Sequence, residues 1–275
     1  MPYRAPFVLL IMIVGMLAGR EFLGMSGTQD EKAAATTRPR ATIRVLSYNI
    51  RRGIGMDDKL DLERTAAFIK KLDCDFVALQ EIDDRTRRSK GVNQAVRLGE
   101  LTGMHAFFGK AMDYDGGGYG EAVLSKHSVE SMRVHRLPAG ARYEPRAMLE
   151  VRAAIGPNGP FVTFLGTHLD HEERKERQAQ VEAIEAALAG RSDAAMILVG
   201  DFNDEPGSSP IEYLRKRWTD CGPANDPGTF PASRPVKKID FIFSRGAHPA
   251  TLRSIEVLEE PIVSDHRPVL AVFDL

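Results

Sequence analysis

Four short apolar runs in this sequence end in a side chain that can bind a metal ion or carry a proton. Asn49, Glu81, His168 and Asp201 each follow such a run, and Asn203 comes two residues after the last of them. Side chains at strand ends sit on rigid supports and can converge at one edge of a sheet. Amide and carboxylate oxygens are hard ligands that suit Mg²⁺, Mn²⁺ or Ca²⁺. Combined with histidine, such a set suits the hydrolysis of a phosphate ester.

Three further polar residues, Asp240, Asp265 and His266, accompany the last apolar runs. Each polar residue taken alone has a structural explanation, such as an Asx-turn at Asp201 or a surface carboxylate at Glu81. Together they favour a functional role, because the structural explanation must then account for every strand end. The sequence has no H-E-x-x-H, G-x-S-x-G, Walker A or G-x-G-x-x-G motif. The zinc protease, serine hydrolase, NTPase and Rossmann interpretations therefore lack support.

The first 41 residues are expected to lie outside the catalytic domain. An uncharged apolar run of fifteen residues, Ala5–Gly19, follows Arg4. At about 1.5 Å per residue it is shorter than the roughly 30 Å hydrocarbon core of a bilayer. A basic start and a short apolar run are typical of an export signal, with an uncleaved anchor as the alternative. We predict a signal peptide or membrane anchor at 1–26, a linker at 27–41 and a domain at 42–275, in an exported or membrane-anchored protein.

The charge and cysteine content restrict the partners. The chain has 275 residues and a formal net charge of -1. Residues 1–41 carry five Lys/Arg and three Asp/Glu, which leaves 32 and 35 in the domain and a net charge of -3 there. This disfavours nucleic acid as a partner, because neutralising phosphates needs a basic surface. Two cysteines, Cys74 and Cys221, cannot form a four-thiolate zinc site, although they could pair after export.

The hydrophobic patterns between the polar residues predict a mixed α/β domain. The turn sequence Gly156–Gly159 between two strand-like runs predicts an antiparallel hairpin. Asp113–Gly120 is predicted to be a flexible loop near the site, with an ordinary hairpin turn as the alternative. Helices are predicted at Asp61–Asp73, Asn93–Thr102, Glu172–Ala189 and Pro210–Arg217. Strands are predicted at Thr42–Ile50, Asp75–Gln80, Ala106–Gly109, Glu121–Ser125, Ala147–Ala154, Phe161–Thr167, Ala195–Val199, Ile239–Phe243 and Val269–Phe273.

Six short motifs carry a resemblance to a known family. They are Ser47–Ile50, Leu79–Glu81, Gly166–Leu169, Gly200–Asn203, Ile239–Phe243 and Ser264–Pro268. In this order the chain resembles the endonuclease/exonuclease/phosphatase superfamily over about Thr42–Leu275. The resemblance implies a DNase I-like fold: a four-layer α/β sandwich of two packed, largely antiparallel β-sheets flanked by helices. It also implies Mg²⁺ or Mn²⁺ as the cofactor, with Ca²⁺ possible.

The same resemblance implies which residues bind the metal and the substrate. Glu81 would be the principal metal ligand with Asn49 beside it, and Asp265 would complete the metal cluster or bind a second ion. Arg146 matches a position where relatives often have an arginine that faces the phosphate. Glu121 stands where close relatives have an asparagine, and an extra carboxylate there would either alter the polarity of the substrate or simply be tolerated.

The catalytic roles follow from the resemblance in the same way. Asp201 and Asn203 would position the attacking water and the phosphate. His168 would contact the scissile phosphate, and His266 would be the second catalytic histidine, oriented by Asp240.

The sequence thus predicts a metal-dependent hydrolase of phosphate esters, either a phosphodiesterase or a phosphomonoesterase, and we expect a monomer. A secreted nuclease acting on DNA or RNA is one alternative, and a lipid phosphodiesterase of the sphingomyelin type is another. A non-enzymatic binding module that retains the fold is a third. Such a module would be expected to lose one of the paired polar residues, and all of them remain here.

Overall fold

A computed structural model of the protein describes residues 41–222 and 227–275. The predicted signal peptide or anchor at 1–26 lies outside these residues, as does the predicted linker except for its last residue. Within the described ranges, no helix is both long enough and apolar enough to cross a bilayer.

Twelve strands and four α-helices make up the described part of the chain. The strands are β1 Thr42–Asn49, β2 Phe76–Asp84, β3 His105–Tyr114, β4 Gly117–Ser125, β5 Val129–Arg136, β6 Ala147–Ala154, β7 Phe161–His168, β8 Ala195–Asp201, β9 Thr219–Asp220, β10 Asp240–Arg245, β11 Thr251–Val257 and β12 Val269–Asp274. The helices are α1 Leu62–Leu72, α2 Gln94–Thr102, α3 Arg174–Ala187 and α4 Ser209–Arg215.

The strands form two six-stranded sheets. The first sheet has the order β11-β12-β1-β2-β4-β3, and the second has the order β5-β6-β7-β8-β10-β9. Only β1–β2 and β7–β8 are parallel among the paired strands of the described residues. The prediction of two largely antiparallel sheets is therefore confirmed, including the β6–β7 hairpin at Gly156–Gly159.

Three apolar cores separate four layers. One fills the space between the sheets and includes Val45, Ala78 and Phe164. Another packs α1 and α2 against the outer face of the first sheet, and the third packs α3 and α4 against the outer face of the second. The helix–sheet–sheet–helix sandwich follows from strands that alternate apolar side chains on both faces.

The helix boundaries follow from their caps. The Asp61 side chain accepts a hydrogen bond from the backbone N–H of Arg64, so α1 begins at the predicted N-cap. Asn93 caps α2 in the same way, and Gly103 ends it in the left-handed conformation that glycine favours.

Several predictions need correction. The segment Asp113–Gly120 is the hairpin of the alternative interpretation and not a flexible loop, since all but two of its residues belong to β3 and β4, which pair antiparallel around a tight turn. Strands β5 and β11 were not predicted, because most of their side chains are exposed on both faces and no apolar alternation marks them. Cys74 and Cys221 are free, buried thiols in different cores.

Candidate active site

The predicted residues gather at one end of the space between the sheets, around a cavity of about 340 Å³. Asn49 and Asp240 are buried behind the cavity wall and hydrogen-bond to residues that form it. Those that line it are Glu81, Arg146, His168, Asp201, Asn203, Asp265 and His266. A larger cavity of about 730 Å³ lies beside α3. On its wall, the Glu185 carboxylate forms ion pairs with both Arg217 and Arg245.

Strand register brings three of these side chains into one row. His168 ends β7 beside Asp201 at the end of β8, and Asp240 pairs with Asp201 at the start of β10. Two residues back along β8, Val199 belongs to the core between the sheets, as Ile242 does on β10. Because side chains alternate along a strand, Asp201 and Asp240 point into the same space.

His266 lies between two buried carboxylates. Its Nδ1 is 3.0 Å from Oδ2 of Asp240, and its Nε2 is 3.6 Å from Oδ2 of Asp201. Burial opposes the charged imidazole, but the Asp240 and Asp201 carboxylates outweigh it and raise the pKa of His266 to about 10. Burial also raises the pKa of Asp201 to about 7, against the opposing charge of His266. His266 is therefore a buried cation at neutral pH.

His168 has the opposite protonation state. Burial lowers the pKa of His168 well below its ordinary value, and the positive charge of Arg146 lowers it further. Arg146 donates from Nη1 to Nδ1 of His168 at 3.0 Å. A guanidinium can only donate, so Nδ1 is an acceptor in this contact. The other ring nitrogen, Nε2, lies 3.4 Å from Oδ2 of Asp201 and 2.9 Å from Nδ2 of Asn203, which also donates to the Leu169 carbonyl at 3.0 Å.

Glu81 reaches the cavity because β2 contains a bulge. The pairing with β4 runs from Leu79–Ala122 to Ile82–Gly120, so two residues of β2 face one of β4. Leu79 and Ile82 both pack in the core under α1 and α2, and Glu81 adopts a φ of 59° between them. The extra residue turns Glu81 inward, where the Asn49 amide donates to it at 3.3 Å.

The remaining predicted ligand, Asp265, lies at the rim of the cavity. Its Oδ2 is 3.9 Å from Nε of Arg51, and its Oδ1 accepts a hydrogen bond of 3.3 Å from the Ser264 hydroxyl. Ser264 also donates to the Asn49 carbonyl at 2.7 Å. The last loop of the chain is thereby tied to the end of β1.

The donor set fits a hard divalent cation. Asn49, Glu81 and Asp265 offer amide and carboxylate oxygens and no sulfur, which is the chemistry that Mg²⁺ and Mn²⁺ prefer. Asp201, Asp240 and His266 also bring possible ligand atoms within 4.8 Å of one another. In that group the two imidazole nitrogens face the carboxylates of Asp240 and Asp201. In the oxygen set, the Asn49 amide oxygen accepts a hydrogen bond of 3.0 Å from the backbone N–H of Arg51.

The structure adds residues that the sequence reasoning missed. Arg52 forms an ion pair with Glu81, in which Nη1 lies 3.2 Å from Oε2. Arg88 forms a bidentate pair with buried Asp83 at 2.7 and 2.9 Å and covers the ring of Tyr114. Arg52, Arg88 and Tyr114 all line the cavity. Arg52 comes two residues after the predicted strand Thr42–Ile50, a position that could have indicated it, whereas no apolar run directly precedes Arg88.

The sequence of the chain matches the profile of a known protein family. A profile of the endonuclease/exonuclease/phosphatase family matches residues 46–266, which is most of the chain. The chain belongs to this family. The six motifs noted above fall almost entirely inside the matched region.

Proteins similar to this member of the endonuclease/exonuclease/phosphatase family come from several bacteria. The protein YbhP of Escherichia coli is 24% identical over 250 residues, covering 85% of this chain and 97% of YbhP. A family member from Bacteroides thetaiotaomicron has a similar structure, with a TM-score of 0.71, 19% identity and coverage of 86% and 99%. The mannosyl-6-phosphatase of the same organism has a TM-score of 0.67, 20% identity and coverage of 83% and 98%. These likenesses confirm the DNase I-like fold.

Proposed function

We propose that this protein is a divalent-metal-dependent hydrolase of phosphate esters. The observation that carries the proposal is the place of His266, which is buried, lines the cavity and has one ring nitrogen 3.0 Å from Asp240 and the other 3.6 Å from Asp201. A buried cation opposite hard-oxygen donors suits an anionic substrate whose charge increases at phosphorus during reaction.

Asp201 is the group proposed to position the attacking water. Its Oδ1 accepts a hydrogen bond of 2.9 Å from the backbone N–H of Asn203, which fixes the carboxylate. Its Oδ2 faces both histidines and accepts from Asn49 at 3.1 Å. A water held by Oδ2 can pass its proton to this carboxylate as it attacks.

The two histidines act on the phosphoryl group in different ways. His266 contributes a positive charge, and Asp240 holds its ring in place. Neutral His168 lies between the N–H donors of Arg146 and Asn203 and beside the Asp201 carboxylate, so these donors are fixed in the site. Donors fixed before the reaction stabilise developing charge without reorganisation.

Asn49, Glu81 and Asp265 are the residues proposed to hold the cation. When bound, a divalent ion would neutralise phosphate charge and polarise the phosphoryl oxygen. Arg52 now neutralises Glu81, so its guanidinium would become available to the substrate phosphate.

A small phosphomonoester or diester is the proposed substrate class. The cavity of about 340 Å³ is at the small end of ligand sites, and the acidic domain disfavours a nucleic acid strand. A sugar phosphate is the first monoester to test, because one structurally similar protein is a mannosyl-6-phosphatase. We further propose a monomer, exported or anchored through residues 1–26.

A substrate panel tests this function. Purified protein would be incubated with sugar phosphates, inositol phosphates, lipid phosphodiesters, plasmid DNA and RNA, each with Mg²⁺, Mn²⁺ or Ca²⁺. We expect release of phosphate or alcohol from a small ester, loss of turnover in excess chelator, and no turnover by Asp201→Asn. Preferential cleavage of DNA, RNA or lipid would favour the corresponding alternative. No turnover of any ester would favour a binding module.

A further inference from the structure

One row of side chains crosses the first sheet at the floor of the site. Asn49 on β1 pairs with Gln80 on β2 in parallel register. Across β2, the bulge places Gln80 and Glu81 opposite a single residue of β4, Glu121. Val123, two residues further along β4, belongs to the core between the sheets, so alternation points Glu121 into the same space.

Glu121 is a buried carboxylate without a partner. It is 1% exposed, and neither of its oxygens has a hydrogen bond within the described ranges 41–222 and 227–275. Beside it in the row, Gln80 is fully buried, and both atoms of its amide lack a partner among the same residues. Leaving a buried polar group unsatisfied is costly, and a carboxylate is the most costly case. A ligand that accepts oxygen donors would satisfy these groups.

The charges around Glu121 indicate what that ligand is. Burial raises the pKa of Glu121 well above its ordinary value, the Arg146 guanidinium opposes this, and the charges of Glu81 and Asp201 add to it. Arg146 contacts Glu144 at 3.0 Å through Nη1, and its buried Nε has no hydrogen-bond partner among the described residues. The bulge register makes Glu81 and Glu121 neighbours, and a shared cation would reduce the unfavourable interaction between the two acidic groups.

We infer that Glu121 is an additional oxygen ligand of the cation site, so that the ion is held between the carboxylates of Glu81 and Glu121, with the Gln80 amide oxygen next to them. This inference rests on the cation site of the proposed function and extends it. A site with two carboxylates and an amide at its floor suits an ion that accepts several oxygen ligands, and Mn²⁺ is a convenient probe of it.

The test measures metal binding without any substrate. Mn²⁺ would be titrated calorimetrically into the full chain and into Glu81→Gln, Glu121→Gln and Glu121→Asp. Glu182→Gln is the matched control, because it removes the same charge from an exposed residue of α3. We expect Glu121→Gln to raise the Kd for Mn²⁺ by about 10- to 100-fold. Glu121→Asp should raise the Kd less, and Glu182→Gln should leave it unchanged.

Thermal unfolding gives a second readout, because an ion that binds only the folded state raises the Tm. In chelator, Glu121→Gln should be at least as stable as the wild type, since it removes a buried carboxyl group that has no hydrogen-bond partner among the described residues. In saturating Mn²⁺ the wild type should gain more in Tm than the variant. If Glu121→Gln does not fold, Glu121→Asp carries the Kd comparison.

The outcomes separate this inference from the proposed function. If Glu81→Gln abolishes Mn²⁺ binding and Glu121→Gln binds it as tightly as the wild type, Glu121 is not a ligand and the metal-dependent hydrolase proposal stands. If Mn²⁺ binding depends on Glu121 but no phosphate ester is hydrolysed, the inference holds and the proposed function fails. If the wild type binds no divalent cation, the inference is overturned together with the metal dependence.

Discussion

Replacing Asp240 by Asn should turn His266 from a fixed cation into a group that titrates near neutral pH. Burial opposes the charge on His266, and the Asp240 carboxylate, 3.0 Å from Nδ1, is the largest influence that raises its pKa to about 10. Without that charge the pKa should fall toward the ordinary value of 6.5. A histidine with that pKa is about 3% protonated at pH 8, so kcat/KM should drop about 30-fold from protonation alone.

The direction of the pH dependence is what distinguishes this explanation from a general loss of structure. The wild-type imidazole keeps its proton up to about pH 10, whereas the variant regains its proton as the pH falls through its lowered pKa. The ratio of wild-type to variant kcat/KM, measured with a small phosphate ester, should therefore shrink to a few-fold at pH 5.5. Histidine-selective NMR would follow the His266 ring directly.

Another histidine–carboxylate pair, which is partly buried, provides the control. His135 Nε2 lies 2.7 Å from Glu150 on the outer face of the second sheet, away from the cavity. Glu150→Gln makes the same chemical change, and we expect no change in the pH profile of kcat/KM.

A rate loss of equal size at pH 5.5 and pH 8 would refute the reasoning, as would a His266 ring that stays protonated at pH 8 in the variant. The double variant Asp240→Asn/His266→Ala adds a second check, because Asp240 acts through His266. It should be hardly slower than His266→Ala, and additive losses would show that the two residues act independently.

Three further outcomes follow from the site and its support. Glu81→Gln should weaken Mn²⁺ binding and lower kcat/KM by at least about 100-fold, and full activity in excess chelator would contradict the metal dependence. His168→Ala should lower kcat/KM by about 10²–10⁴-fold while the Kd for Mn²⁺ stays unchanged. A higher Kd in this variant would instead indicate that His168 is a metal ligand. Trp218 donates from Nε1 to Glu185 at 2.6 Å far from the cavity, so Trp218→Phe should cost about 1–2 kcal/mol in urea unfolding. Its kcat should equal that of the wild type.

Much of the fold could be predicted because hydrophobic periodicity reports burial. Strand β6 has the predicted bounds, Ala147–Ala154. Its apolar side chains are buried on both faces, in the core between the sheets and in the core under α3, and this burial produces the apolar run. The edge strand β11 was missed because most of its residues are exposed, and exposed strands carry no apolar alternation. The extension of β2 to Asp84 was missed because the bulge shifts the alternation at Glu81.

The sequence by itself determined the chemical inventory of the site: hard-oxygen groups and histidines at strand ends, in the order typical of one family. Only the tertiary structure decided how these groups act on one another. The protonation states of His168 and His266 depend on burial and on neighbours that are distant in the chain, such as Arg146 and Asp240. Such neighbours leave no local pattern, because a pKa depends on distances in space, whereas a sequence motif records only distances along the chain.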